Sequence, residues 1–225
     1  MHPNNSFYAR VGKRVLDVIC ASAGLVLVSP LLLLVALLVK LTSPGPILFR
    51  QGRVGKNGKL FEILKFRSMR VNAENEGPPI TCAGDKRVTV IGAWLRRTKL
   101  DELPQFWNVL VGDMSLVGPR PEVPKYVALY SKEHRVLLSV RPGITDPATI
   151  EYRHEEEILG MHADPEEFYI RNVLDQKLSV SVKYLSRFSF RYDLWLVFQT
   201  VWAVLNTRPR TTDSTLETDN LGAWD

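Results

Sequence analysis

The sequence has little of what staples or metallates a small domain. Two cysteines, Cys20 and Cys82, exclude a disulfide framework, and four scattered histidines exclude a zinc-finger spacing. His154 is followed by glutamate but has no second histidine four positions on, so the zincin motif is absent. No Gly-x-Gly-x-x-Gly occurs. Gly52, Gly55 and Gly58 approach a P-loop, but five residues separate Gly52 from Gly58-Lys59, and Leu60 stands where the hydroxyl should be. Internal repeats are missing too. Charge of neither sign dominates: 29 Lys and Arg against 24 Asp and Glu leave +5, which suits a phosphate-rich partner or an anionic surface without naming either. With 45% hydrophobic and 24% charged residues over 225 positions, the chain has globular composition and the length of one domain or slightly more.

Charge is wholly absent from Val18 to Val39, 22 residues that meet the length criterion for a membrane-spanning helix. Arg10, Lys13 and Arg14 precede the run and Lys40 follows it. A cleaved signal peptide fits poorly, because the run is long and Ala21-Ser22-Ala23 precedes the apolar core instead of following it. Ser29-Pro30 interrupts the run: proline removes one helical hydrogen bond and favours a kink. Two geometries are compatible with this, a kinked span and a re-entrant helix that leaves on the side it entered. Positive charge on both flanks speaks for the second, proline tolerance in ordinary spans for the first, and flank charge alone leaves both open.

Beyond the loop Thr42-Ser43-Pro44-Gly45-Pro46, residues 47–53 and 59–66 read as short strands joined through Asn57-Gly58, a strong hairpin signal. Residues 71–87 are polar and loop-like. Two amphipathic helices follow, with Ile91, Trp94, Leu95 and Thr98 on one stripe and Leu103, Phe106, Trp107 and Leu110 on the other. Such stripes usually mean core. Here each carries a tryptophan, and Arg96, Arg97 and Lys99 lie close by, as in helices lying at a headgroup layer. Leu194 to Leu205, with Trp195 and Trp202, is too short to span and reads as interfacial or buried.

Three clusters carry candidate chemistry. Leu100-Asp101-Glu102-Leu103-Pro104-Gln105 places adjacent carboxylates at a helix start. Asp101 there can be an N-cap and Glu102 a first-turn acid favoured by the helix dipole. Alternatively Asp101 is a nucleophile or base, and Glu102 a ligand for a hard cation such as Mg²⁺. Gly118-Pro119-Arg120-Pro121 fixes one arginine between two prolines, a geometry suited to clamping phosphate or simply to a rigid turn. Arg141-Pro142-Gly143-Ile144-Thr145 repeats the theme of a basic residue locked beside proline.

Taken together and in this order, these segments resemble the bacterial sugar transferases known as small monotopic phosphoglycosyl transferases. The landmarks are Lys13-Arg14-x-x-Asp17, Ser29-Pro30, Ser43-Pro44-Gly45-Pro46, Phe49-Arg50-Gln51-x-Arg53-x-Gly55 and Lys65-Phe66-Arg67-Ser68-Met69. Arg96-x-Thr98-x-Leu100 through Gln105, Gly118 to Pro121 and Arg141 to Thr145 complete them, covering about residues 10–205. The resemblance implies an α+β, mainly helical fold. Its parts would be an N-terminal segment and re-entrant membrane helix (1–40), a small cytoplasmic catalytic domain of interfacial amphipathic helices with a short β-hairpin (41–205), and a polar tail (206–225).

It also implies an activity: transfer of a sugar 1-phosphate from a UDP-sugar to polyprenyl (undecaprenyl) phosphate with release of UMP. This would be the first membrane step of surface polysaccharide or glycoconjugate synthesis. Asp101 would be the covalent nucleophile and Glu102, with Asp101, the Mg²⁺ ligand. Lys65, Arg96, Arg120 and Arg141 would contact phosphates, and Ser29-Pro30 would break the membrane helix. The setting would be the cytoplasmic face of the bacterial inner membrane, with its lipids as partners, no nucleic acid, and room for a homo-oligomer. One segment departs from the family: many members continue Arg-Pro-Gly-Ile-Thr as Gly-Trp-Ala-Gln-Val-Asn-Gly-Arg, whereas Asp146-Pro147-Ala148-Thr149-Ile150-Glu151-Tyr152-Arg153 stands here. Two other classes compete, a membrane-anchored binding or scaffold protein of polysaccharide export and a metal-dependent hydrolase of nucleotide sugars or lipid phosphates.

Overall fold

The computed structural model describes residues 8–206, so the expected polar tail, 206–225, lies outside the described residues apart from Asn206. The fold is mainly helical. A π-turn, Tyr8–Gly12, leads into α1 (Lys13–Thr42), the single described helix long and apolar enough to cross a membrane. Only Asp17, Ala21, Val35 and Val39 of α1 are buried, while Val26, Leu27, Leu33, Leu37 and Leu41 are exposed. Helical structure runs unbroken through Ser29–Pro30, where the resemblance implied a break. Pro30 has no N–H for the Val26 carbonyl, and the Ser29 hydroxyl donates to that same carbonyl at 2.8 Å. The serine thereby supplies the hydrogen bond that the proline withholds.

The hairpin forms one residue later than read, as β1 (Leu48–Val54) and β2 (Leu60–Phe66), antiparallel with Leu48 opposite Phe66 and Val54 opposite Leu60. Asn57 and Gly58 both take positive φ at the tip, as such a turn demands. Next come α2 (Val90–Arg97), a 3₁₀ turn (Leu100–Glu102), α3 (Gln105–Val111) and β3 (Ser115–Val117). The stripes divide as amphipathic helices should: Leu95 is fully buried, while Trp94 and Trp107 face outward. Helix α2 starts with the Thr89 hydroxyl accepting from the Gly92 N–H, a standard N-cap.

After α4 (Pro124–Val127) and a 3₁₀ segment, His134–Ser139, a short strand β4 (Gly143–Thr145) pairs in parallel with β3, Ser115 beside Gly143 and Val117 beside Thr145. This seam was not legible in the sequence. It depends on glycine, since a Cβ on Gly143 would lie 2.1 Å from the Gly118 nitrogen. Gly118-Pro119-Arg120-Pro121 and Arg141-Pro142-Gly143, read as two separate locked turns, are thus the two sides of one seam. Short helices α5 (Pro147–Glu151), α6 (Glu155–Gly160) and α7 (Pro165–Phe168) precede the longer α8 (Leu174–Ser186) and α9 (Phe190–Leu205). On α9 only Asp193 and Leu196 are buried; Leu194, Phe198, Val201, Trp202 and Leu205 are exposed.

The motif Lys13-Arg14-x-x-Asp17 grafts α1 to the domain. Lys13 pairs with buried Asp193 at 2.5 Å, and Asp193 also accepts from the hydroxyls of Tyr8 and Tyr184. Arg14 donates to the carbonyls of Val109 and Leu110 at the C-terminal end of α3, where a cation suits the helix dipole. Asp17 accepts from the Ser115 hydroxyl and the Leu116 N–H at 3.0 Å each. Farther along α1, Ala21 packs with Phe61, Ile63, Val109 and Met114, while Val35 and Val39 pack with Phe66 and Leu95.

Helix α2 lies so close to the end of β2 that a Cβ on Gly92 would sit 1.8 Å from the Ser68 carbonyl oxygen. Neither backbone can yield without breaking the Thr89 N–H bond to that same carbonyl. Gly92→Ala is therefore expected to destabilise the protein by about 3 kcal/mol or more, at the upper end of overpacking. Thermal unfolding in detergent should register it, with Gly52→Ala, whose Cβ meets nothing within 4 Å, as the mild control.

Candidate active site

Asp101 and Glu102 occupy their own 3₁₀ turn between α2 and α3, entered through Lys99 in the left-handed conformation (φ 55°). The N-cap position of α3 belongs to Pro104, and no side chain caps it. Asp101 is therefore not the helix cap that the sequence admitted. It is 5% exposed, and its Oδ1 has no hydrogen-bond partner. A buried polar atom left without a partner costs about 1–3 kcal/mol and calls for a functional reason.

Glu102 is engaged mainly through one of its oxygens. Its Oε1 accepts from Lys65 Nζ at 2.8 Å and from Arg120 Nη2 at 2.7 Å, and its Oε2 faces Arg120 Nη1 at 3.4 Å. Lys65 comes from β2, one residue before the strand ends. Arg120 comes from the proline-locked strip, which is pinned beyond it: Arg53 Nη1 donates to the Pro121 carbonyl at 2.9 Å, and the Val54 N–H donates to the Glu122 carbonyl. Glu122 in turn lies 3.7 Å from Arg53 and accepts from the Tyr169 hydroxyl at 3.0 Å. Sequence reading missed Arg53, Glu122 and Tyr169. Only the place of Arg53 in Phe49-Arg50-Gln51-x-Arg53 hinted at a role.

Of the remaining expected residues, Arg96 lies near enough to pull on the charge of Asp101, and its Nη2 bonds Glu156 Oε1 at 2.5 Å. Arg141 is used elsewhere: its Nε donates to the Gly112 carbonyl just past α3 at 2.8 Å. Ser29 and Pro30 lie midway along α1. The structure thus brings Lys65, Asp101, Glu102 and Arg120 together, sets Arg96 beside them and leaves Arg141 at a structural junction.

The two carboxylates are driven in opposite directions. Burial pushes the Asp101 carboxyl up to about 6, with Lys65 pulling it back and Glu102 pushing it farther. Burial would raise Glu102 as well, but Arg120 and Lys65 overcome it and hold that carboxyl well below the usual range. Lys65 is lowered by its own burial, and Arg120 is raised by Glu102. Adjacent acids separated in this way can take different roles.

Among the described residues no group of three or more His, Cys, Asp or Glu side chains is placed to hold a metal. Mg²⁺ does not require one, since it is commonly held by one or two carboxylates plus substrate phosphates. Asp101 and Glu102 fit that pattern: both are hard oxygen donors, and Asp101 has an oxygen that nothing else engages.

Residues 8–207 match the family model described as bacterial sugar transferase. Over 196 residues the chain is 41% identical to the UDP-N-acetylgalactosamine-undecaprenyl-phosphate N-acetylgalactosaminephosphotransferase of Aeromonas hydrophila, covering 86% of this chain and 43% of that protein. It is 39% identical over 201 residues to the UDP-glucose:undecaprenyl-phosphate glucose-1-phosphate transferase of Escherichia coli, covering 86% and 40% respectively. To the protein of the same description from Caulobacter vibrioides it is 42% identical over 200 residues, 87% of this chain and 70% of that one. The chain therefore spans about two fifths of the length of the first two relatives and most of the third.

A carboxyl that burial raises to about 6 weakens folding once it ionises. The folded state binds this proton more tightly than the unfolded state, so stability from this group is present at low pH and is lost as pH rises through about 6. Asp101→Asn, which cannot ionise, should accordingly unfold at higher temperature than the wild type at pH 8 with a chelator present. The gain should shrink below pH 6 and vanish near pH 4; a variant less stable at pH 8 would contradict the reading of this site.

Proposed function

Because the chain belongs to the bacterial sugar transferase family, we propose that it transfers a sugar 1-phosphate from a UDP-sugar to undecaprenyl phosphate, releasing UMP, through a covalent intermediate on Asp101. The relatives named above act between UDP-sugars and undecaprenyl phosphate by their descriptions. The observation that carries the mechanism is the division within the pair: Asp101 is buried with one oxygen unpartnered, while Glu102 absorbs Lys65 and Arg120.

In the first half-reaction a carboxylate oxygen of Asp101 attacks the phosphorus that bears the sugar. The bond from that phosphorus to the UMP oxygen breaks, and UMP leaves with the electron pair. In the second, an oxygen of the lipid phosphate attacks the same phosphorus, the acyl-phosphate bond breaks, and Asp101 returns as carboxylate. Phosphoryl transfer chiefly requires charge neutralisation and in-line positioning. Lys65 and Arg120 supply cations at Glu102 that phosphate oxygens can share, and Arg96 can turn from Glu156 to the donor. Mg²⁺, held by Glu102 with Asp101, would neutralise the diphosphate.

The acceptor is a lipid, and α1 supplies the route to it. In this reading α1 bends at Ser29–Pro30 in the inner membrane and is re-entrant, with both ends on the cytoplasmic side. The exposed apolar face of α1 would lie in the hydrocarbon, and that of α9, with Trp94 and Trp107, at headgroup depth.

Enzyme incubated with UDP-sugar and Mg²⁺ but no acceptor should acquire the mass of a sugar phosphate on the peptide containing Asp101, and steady-state kinetics should be ping-pong. Asp101→Asn should stay folded, unlabelled and inactive. Labelling in Asp101→Asn, or sequential kinetics in the wild type, would remove the covalent step. No UMP release with any UDP-sugar would favour a binding or scaffold role, and turnover without lipid acceptor a hydrolase.

Topology has its own test, in a protein whose Cys20 and Cys82 are replaced. Cysteines at Val11 and Pro44, both exposed and on either side of the apolar run, should both resist a membrane-impermeant thiol reagent added to intact cells. Labelling at Val11 alone would mean a true span.

A further inference from the structure

Gln105 is the buried polar group that neither the fold nor the reaction has used. It is the first residue of α3, one helical turn beyond Asp101, and is 1% exposed. Both Oε1 and Nε2 of its amide lack hydrogen-bond partners. Sealing an amide from water without a partner costs folding free energy that a leucine or methionine at the same place would not. Asp101 Oδ1 is the neighbouring buried acceptor in the same condition. Two complementary groups, one donor and one acceptor, are thus held unpaired on successive turns of one helical run. The turn bonds that join them, from Leu103 N–H to the Leu100 carbonyl and from Phe106 N–H to the Leu103 carbonyl, keep that run rigid.

We propose that Gln105 is a positioning residue for Asp101: its Nε2–H donates to Asp101 Oδ1 when the donor is bound, so that the other carboxylate oxygen faces the phosphorus. The inference rests on the covalent reading above. A carboxylate free to rotate presents either oxygen at any angle. One fixed by an amide has lost that freedom before the reaction starts, which lowers the barrier to attack without changing how tightly the donor is held. Oδ1 has two lone pairs, so an amide N–H on one leaves the other for a cation.

The test is the split between kcat and KM in Gln105→Met, which keeps the length of the side chain and removes the N–H. We expect kcat for UMP release to fall about 10- to 100-fold, as for a misplaced reacting group. KM for the UDP-sugar should stay within about twofold, and the melting temperature should not fall. Gln105→Glu should be no better, because a carboxylate lacks the N–H and repels Asp101. Wild-type kcat in Gln105→Met would overturn the proposal. So would a raised KM at unchanged kcat, which would mean that the amide touches the donor instead.

A second measurement does not depend on that variant folding. In Asp101→Asn, which retains Oδ1 and cannot react, saturation with UDP-sugar should move the side-chain amide proton resonances of Gln105 downfield. In Asp101→Ala it should not. The absence of a shift in Asp101→Asn would overturn the inference. Wild-type enzyme that releases no UMP would end the transferase reading itself, whereas active wild type with an indifferent Gln105→Met would end only the role of Gln105.

Discussion

The grip of Lys65 and Arg120 on Glu102 is the contact on which the rest of the site depends. It joins the end of β2, the turn Leu100–Glu102 and the strip Gly118–Pro121, three segments that share no regular secondary structure with one another. A buried ion pair gains little over a well-packed apolar alternative, yet removing one partner costs about 3–5 kcal/mol because the other charge is stranded. The arrangement is therefore hard to lose once present, and it imposes a constraint on the neighbour. Both cations are committed to Glu102, so Asp101 feels burial and the Glu102 charge with only partial relief from Lys65 and Arg96. A site built solely for stability would have paired both acids.

A second set of buried charges serves a different purpose. Lys13, Arg14 and Asp17 fasten the first turns of α1 to α9, α3 and β3 respectively. Apolar packing alone would hold this end loosely, since most of α1 offers its leucines and valines outward. Directional bonds to backbone carbonyls and N–H groups fix the azimuth of the helix as well as its position. Arg67 does the same at the far end, where its Nη2 donates to the Ser43 carbonyl just past α1. Fastened at both ends, α1 is part of the domain's frame rather than a tether hanging from it.

What the sequence disclosed and what it hid divide by range. The hairpin, both amphipathic helices, the apolar helix and the acidic pair were legible, because each is written in a few consecutive residues through alternation, helical spacing or turn chemistry. The strands came out within a residue, since Asn57-Gly58 pins the turn. The parallel seam between β3 and β4 was hidden: it joins Gly118 to Gly143 across 25 positions, and each strand is only three residues long. Partners of the charged residues were hidden for the same reason. Nothing local to Arg96 points to Glu156, nor anything near Lys13 to Asp193. Asp101 itself was ambiguous, because a capping aspartate and a nucleophile look alike until the start of α3 is located at Gln105.

Leu100, the residue before the acidic pair, ties these themes together. It packs into the same cluster as Val35 and Val39, in the second half of α1, together with Phe66 and Leu95. The turn that carries Asp101 thus shares one apolar cluster with the second half of α1. Asp101 is thereby one residue from an apolar contact and one residue from Glu102, which holds Lys65 and Arg120. Apolar surface such as that of α1 and the outward face of α9 is driven out of water, whereas the charged cluster gains nothing by following it. Under the proposed transfer, an acceptor with a prenyl tail and a phosphate head is divided by the same two requirements, and Leu100-Asp101-Glu102 is where the apolar cluster and the charged cluster meet within consecutive residues.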